Sequence, residues 1–75
     1  MMEPERIREI LASALPGADV DVKDLTGTKD HFQATIAAPQ FAGKSLIEQH
    51  QMVYRALGDH MKSEIHALAL TTRAK

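Results

Sequence analysis

The sequence has no cysteine and no tryptophan, and its only aromatic residues are two phenylalanines and one tyrosine. Without cysteine the chain has no disulfide, no thiolate nucleophile and no zinc site of the cysteine type. No apolar run approaches the roughly 20 residues needed to cross a bilayer. The first residues lack the apolar segment of a signal peptide and the composition of a transit peptide. We therefore expect a cytoplasmic protein that does not contact membranes.

The chain also lacks an excess of either charge. Nine basic and ten acidic residues give a formal net charge of −1, so there is no general electrostatic footprint for nucleic acid. At 75 residues the length indicates one domain, residues 1–75, which buries only roughly 60% of its unfolded surface. Such a domain has no room for a large catalytic cleft. The sequence shows no paired carboxylates and no Ser/His/Asp arrangement, and we expect it not to be an enzyme.

Hydrophobic periodicity predicts the elements. An amphipathic first helix begins near Pro4 and ends at the pair 16–17, with apolar residues at Ile7, Ile10, Leu11, Ala14 and Leu15. Two strands with alternating polarity follow, the first with Val20 and Val22 and the second with Phe32, Ala34 and Ile36.

The second half of the chain predicts a longer helix, a short helical turn and a third strand. Ser45 and Glu48 fit a capping box, and the helix that they open places Leu46, Val53 and Leu57 on one stripe. A short turn over 59–64 leads into the apolar run 65–70. Residues 1–3 and 72–75 are expected to fray.

The element order is thus αββααβ. The first two strands should pair antiparallel, and a right-handed helical crossover should bring the third strand in parallel to the second. The prediction is an α+β two-layer domain with a three-stranded mixed sheet and helices on one face.

Four histidines are the side chains best suited to proton transfer or borderline metals: His31, His50, His60 and His66. His66 shares a strand face with Leu68 and Leu70, so it is either a satisfied core residue or a ligand at a sheet end. His31 precedes the second strand, where it is either a surface residue or a ligand. Parallel pairing of the second and third strands would put His31 and His66 at the same sheet end. Two imidazoles supply at most half of a four-coordinate site, so further ligands would come from another molecule.

The other histidines have simpler interpretations. His50 is expected to pack on the helix stripe, and His60 to be exposed. The segment 41–44 leads into a helix amino terminus, which is either an anion site strengthened by Lys44 or an ordinary turn plugged by Phe41. Arg55, Lys62 and Arg73 are too few and too mixed with acids to form a recognisable basic surface.

Several segments together resemble the BolA family over nearly the whole chain. They are Asp24-Leu25-Thr26, Asp30-His31-Phe32, Phe41-Ala42-Gly43-Lys44, His50 with Val53-Tyr54 and Leu57, and Ile65-His66-Ala67-Leu68-Ala69-Leu70. The resemblance implies a class II KH-like fold, in agreement with the predicted element order.

The resemblance also implies a partner, a monothiol glutaredoxin with a Cys-Gly-Phe-Ser site. Family members share a 2Fe–2S cluster with it, which glutaredoxin cysteine and glutathione ligate on one side. The family's invariant histidine matches His66. The second ligand is a cysteine or histidine of the loop between the first two strands. Thr28 stands near the cysteine-type position and cannot serve, whereas His31 matches the histidine type. The hypothesis is an adaptor in iron–sulfur trafficking or iron and redox regulation, a monomer or weak homodimer when alone.

The alternative is a DNA-binding transcriptional regulator, since some family members are described as transcription factors. Its candidate contacts are Lys44, Arg55 and Lys62. The turn at 58–61 corresponds to the GXXG loop of KH domains, but it lacks the second glycine and carries Asp59, which argues against RNA binding of the KH type.

Overall fold

A computed structural model describes residues 2–27, 31–63, 65 and 67–75. The elements are α1 (Pro4–Ala14), β1 (Asp19–Asp24), β2 (His31–Ala38), a 3₁₀ turn (Pro39–Phe41), α2 (Leu46–Leu57), α3 (His60–Ser63) and β3 (Ala67–Ala74). This is the predicted αββααβ order. Among these residues, no helix is long and apolar enough to span a membrane.

The three strands form one mixed sheet in the order β1-β2-β3. β1 pairs antiparallel with β2, in a register that sets Asp24 opposite Phe32. β2 pairs in parallel with β3, from His31 opposite Ala67 to Ala38 opposite Ala74. The predicted α+β class and mixed three-stranded sheet are confirmed.

The core lies between one face of the sheet and the helices. Its largest fully buried side chains are Phe32, Phe41, Ile7, Leu11, Ile36, Leu57 and Val53. The alternate residues of β1 and β3 that face this core are partly buried, and most residues between them are exposed. The opposite face of the sheet is therefore more exposed to solvent, as the alternation of apolar and polar residues in the sequence predicted.

α1 and α2 begin as the sequence indicated. Pro4 occupies the first turn of α1, where its missing N–H costs no hydrogen bond. At α2 the Ser45 hydroxyl accepts from the Glu48 N–H at 3.2 Å, and the Glu48 carboxylate accepts from the Ser45 N–H at 3.0 Å. The predicted capping box is confirmed.

The buried line of α2 differs from the predicted stripe. Val53 and Leu57 are buried, but Leu46 is 62% exposed and Gln49 takes the third buried position. Leu46 is the first residue of α2 and lies beyond the edge of the core, which is why the apolar pattern misassigned it.

Fraying was predicted for residues 1–3 and 72–75, but Met2 and residues 72–75 make defined contacts in the structure, and this is a correction; residue 1 lies outside the described residues. Met2 is buried in the core cluster. β3 continues to Ala74, and the Lys75 N–H donates to the Ala38 carbonyl at 3.1 Å. The Lys75 ammonium donates to the Gly17 carbonyl at 2.8 Å and lies 3.4 Å from Asp19. The Lys75 side chain thus attaches this end of β3 to the turn before β1.

Candidate metal-ligand end of the sheet

His31 is the first residue of β2, at the amino end of the parallel strand pair. Its side chain is half-buried, and its backbone carbonyl accepts from the Leu25 N–H at 2.9 Å. That bond joins the two ends of the β1–β2 loop. His31 is therefore set at the junction of a loop and a paired strand, where the backbone on its carboxyl side is fixed.

The first part of the β1–β2 loop is organised by Asp24. Its carboxylate accepts from the Gly27 N–H at 3.0 Å and from the Thr26 N–H at 3.3 Å, a local turn that an aspartate side chain commonly stabilises. Gly27 has a φ of +76°, which glycine adopts without strain. Leu25 is 55% exposed next to this turn. The loop thus presents an apolar side chain beside the strand that carries His31.

His66 and Thr28 lie outside the described residues, so their predicted roles stay predictions. The residues on either side of His66 are described. Ile65 is buried and donates its N–H to the His60 carbonyl at 2.9 Å, and Ala67 lies opposite His31 in the parallel register. The structure therefore sets the residue that follows His66 beside His31, which is the strand arrangement that the sequence argument required.

The metal-binding capacity of the described residues is small. Among them there is no group of three or more histidine, cysteine, aspartate or glutamate side chains that could hold a metal ion. A complete site that includes His31 therefore needs ligands from beyond this set. Imidazole suits iron as well as zinc, so the chemistry of His31 fits a shared site.

The remaining histidines are both partly covered. His50 is half-buried on α2, consistent with the packing role expected of it. His60 opens α3 and is half-buried, whereas the sequence predicted an exposed residue.

The amino terminus of α2 agrees with the simpler of the two interpretations of segment 41–44, a turn filled by Phe41 rather than an anion site. Phe41 is completely buried, and Gly43 provides the bend with a φ of +76°. The Glu48 carboxylate already accepts from this terminus, and the hydrogen bonds from Ser45 lower the pKa of Glu48. Because the helix supplies its own anion, the segment 41–44 is an ordinary capped turn.

Two of the three basic residues of the DNA alternative line one depression. Lys44 and Arg55 line the same shallow depression on α2, together with Glu48, Gln51 and Met52. Lys62 is on α3, highly exposed and 3.9 Å from Asp59. Two of the three candidates are thus brought together, in a depression that Glu48 also lines.

Gln49 is the residue that sequence reasoning missed. Its amide N–H donates to the Lys44 carbonyl at 2.9 Å, and its carbonyl accepts from the Thr72 hydroxyl at 2.7 Å in a buried hydrogen bond. It joins α2 to β3 and so fixes the strand that begins next to His66. The available signal was its position, four residues before Val53 and eight before Leu57 on one helix face.

Comparison with known proteins agrees with this architecture. The family model described as BolA-like protein matches residues 4–75. The chain belongs to the BolA family.

Several relatives support this assignment. The DNA-binding transcriptional regulator BolA of Escherichia coli is 32% identical over 79 residues, which cover 96% of this chain and 75% of that protein. The structure of a BolA homologue from Coxiella burnetii superposes with a TM-score of 0.83 at 33% identity, covering 99% of this chain and 92% of the other. The BolA domain of SufE1 from Arabidopsis thaliana gives 0.86 at 32% identity, covering 95% and 90%.

Proposed function

We propose that this chain is a cytoplasmic BolA-like adaptor that pairs with a monothiol glutaredoxin and co-ligates a shared 2Fe–2S cluster, without catalytic turnover. His66 and His31 are the ligands that it would contribute, and glutaredoxin cysteine and glutathione would supply the others. The observation that carries the proposal is the parallel register that puts His31 opposite Ala67, directly after His66. Membership of the BolA family supports it.

The chemistry of the donor set supports a shared rather than an internal site. The chain has no cysteine, so any thiolate must come from the partner. When bound, a cluster with histidine on one iron has a higher reduction potential than one held by thiolates alone. The role of this chain would be to present two neutral imidazole nitrogens at one end of a rigid sheet.

The same surface offers a neighbouring apolar contact. Leu25 is exposed in the loop that ends at His31, so a docking protein would cover an apolar side chain as it reaches the cluster ligands. A partner with only polar side chains at this place would bind less strongly, because exposed apolar area contributes to association when it is covered.

The test is an anaerobic mixture of the chain, a Cys-Gly-Phe-Ser glutaredoxin and glutathione, monitored by visible circular dichroism. The wild type should change the cluster spectrum and co-elute with glutaredoxin. His66→Ala and His31→Ala should lose or alter the spectrum. His50→Ala, a histidine on the far helix layer, is the matched control and should keep it. Absence of any complex or spectral change, with His66→Ala behaving as wild type, would exclude the proposal.

A second candidate is DNA binding. The relative from E. coli is named a DNA-binding transcriptional regulator, and Lys44 and Arg55 line one depression. If DNA is the ligand, its affinity should fall steeply with salt concentration, because phosphate neutralisation releases counterions. Lys44→Ala and Arg55→Ala should each reduce that slope by about one. A salt-independent affinity would reject this candidate.

A further inference from the structure

The two edges of the sheet differ in how they are protected against pairing with another strand. β1 carries charged side chains at Asp19, Asp21, Lys23 and Asp24, the usual protection of an edge strand. β3, the other edge, has a single charged residue, Arg73, and no proline. Its register with β2 is continuous from Ala67 to Ala74, so no bulge turns it away. β3 is thus an unprotected edge.

The backbone groups that β3 presents can be assigned. In a parallel pair the N–H and C=O of one residue point to the same side, and successive residues point to opposite sides. The Lys75 N–H donates to Ala38 of β2. Counting back from Lys75 by twos, the odd-numbered residues of β3 face β2. The outward-facing residues are therefore Leu68, Leu70, Thr72 and Ala74. Among the residues that the structure describes, their outward groups have no hydrogen-bond partner.

We infer that β3 pairs antiparallel with β3 of a second copy of this chain, about a two-fold axis at Thr71. In that register Leu70 faces Thr72 and Leu68 faces Ala74, so every outward residue exchanges hydrogen bonds with the other copy. The result is a six-stranded sheet with all helices on one face. The inference does not depend on glutaredoxin pairing.

The side chains of β3 fit a second copy. In this register the lone charge, Arg73, lies opposite the small Ala69, so no like charges meet. Thr71 lies opposite its own copy, a favourable cross-strand pair. In β1, pairing about the central Asp21 would instead set two carboxylates against each other. The self-complementary edge is what commits the inference to a second copy rather than to another protein.

An apolar flank of α2 adds to the same surface. Gln49, Val53 and Leu57 form the buried line of α2, and Gln49 bonds Thr72, so α2 lies over β3. Tyr54 and Met52 lie on opposite sides of that line, each 100° from Val53. In a right-handed crossover the Tyr54 side faces the outer edge of β3. Tyr54 is 42% exposed there and Ile47 71%. The two-fold axis would bring these flanks of the two copies together.

The test combines sedimentation velocity with hydrogen exchange on the purified chain, at concentrations up to about 1 mM, where weak dimers with millimolar affinity are detectable. We expect a concentration-dependent dimer. The amides of Leu70 and Thr72 should gain protection as it forms, whereas those of Ala69 and Thr71, already bonded to β2, should be protected throughout.

Substitutions that introduce a charge at Thr71 test whether the two-fold axis of the dimer lies at this residue. Thr71 is exposed on the open face, so Thr71→Lys should keep the fold but set two ammonium groups opposite each other and weaken the dimer about fivefold or more. An equimolar mixture of Thr71→Lys and Thr71→Glu should restore association. Thr35→Lys is the matched control, an exposed threonine beside Thr71 on the central strand, and should dimerise as wild type. A monomer at every concentration, or a dimer indifferent to Thr71→Lys, overturns the inference.

Discussion

The two ends of the parallel β2–β3 pair are built differently. At the carboxyl end, Thr72 is tied to Gln49 by a buried hydrogen bond, and Lys75 bonds the turn before β1. At the amino end, His31 begins β2, and the described contacts of the neighbouring loop include the bond from the Leu25 N–H to the His31 carbonyl and the Asp24 turn. The carboxyl end therefore carries contacts that join the sheet to α2 and to the turn before β1, and the amino end carries a side chain suited to a metal ligand. Stability and ligand chemistry should respond separately to mutation.

The largest effect should follow truncation of Phe41, which plugs the core at the carboxyl end and is fully buried. Phe41→Ala removes most of a buried ring, so the free energy of unfolding should fall by about 3–5 kcal/mol in urea titrations. Phe41→Leu, which is closer in volume, should cost about 1.5 kcal/mol or less and keep the variant folded for comparison. Leu46→Ala, at an exposed position, should change stability by no more than about 0.5 kcal/mol. Equal losses of unfolding free energy for Phe41→Ala and Leu46→Ala would contradict the assignment of Phe41 to the core.

A smaller loss should follow removal of the Gln49 amide. Gln49→Ala leaves the Thr72 hydroxyl and the Lys44 carbonyl without this partner, and stability should fall by about 1–3 kcal/mol. Gln51→Ala, an exposed glutamine on the same helix, should be within about 0.5 kcal/mol of wild type. A double-mutant cycle with Thr72→Val measures the coupling. If the two substitutions are strictly additive, Gln49 and Thr72 do not interact.

The capping box of α2 should contribute next. Ser45→Ala removes the hydroxyl that accepts from Glu48 and should cost about 1 kcal/mol. Hydrogen bonds from Ser45 lower the pKa of Glu48, so the ionised carboxylate stabilises the folded state above the pKa of the unfolded chain. This stabilisation should be lost as the pH falls through the lowered pKa, below about 4.5. Glu48→Gln should flatten that part of the pH profile, and an unchanged profile would contradict the assignment.

The sequence predicted the fold well because its signals are local. Alternation in β1 and β2, proline at the start of α1 and the Ser45–Glu48 box each depend on near neighbours, and the structure confirms them. The sequence-based prediction failed where a contact between residues far apart in sequence determines the local structure. Thr72 and Lys75 are polar and terminal, which suggests fraying, but they are fixed by Gln49 and Gly17, residues far away in sequence. Leu46 has an apolar side chain in the correct helical phase, yet it lies outside the hydrophobic core.

The candidate site could be anticipated only in part, for the same reason. Parallel pairing of β2 and β3 was predictable from the crossover rule, and it brings His31 level with the residue after His66. The rest of a metal site was not predictable from geometry, because the chain has no cysteine and the described residues hold no cluster of ligands. The donors proposed to complete the site came from family resemblance, and the hydrogen bond between Gln49 and Thr72 came only from the structure.

Apart from the control variants, the smallest effect on stability should come from His31, and it sharpens the contrast between the ends. His31 is half-buried at the amino end of the parallel strand pair, so His31→Ala should lower the free energy of unfolding by roughly 1 kcal/mol or less. The same variant should lose or alter the cluster spectrum in the glutaredoxin mixture. Gln49→Ala, measured below its unfolding transition, should keep that spectrum despite a larger loss of stability. If His31→Ala is destabilised as much as Gln49→Ala while its spectrum is unchanged, the amino end is a structural anchor rather than the ligand-bearing end.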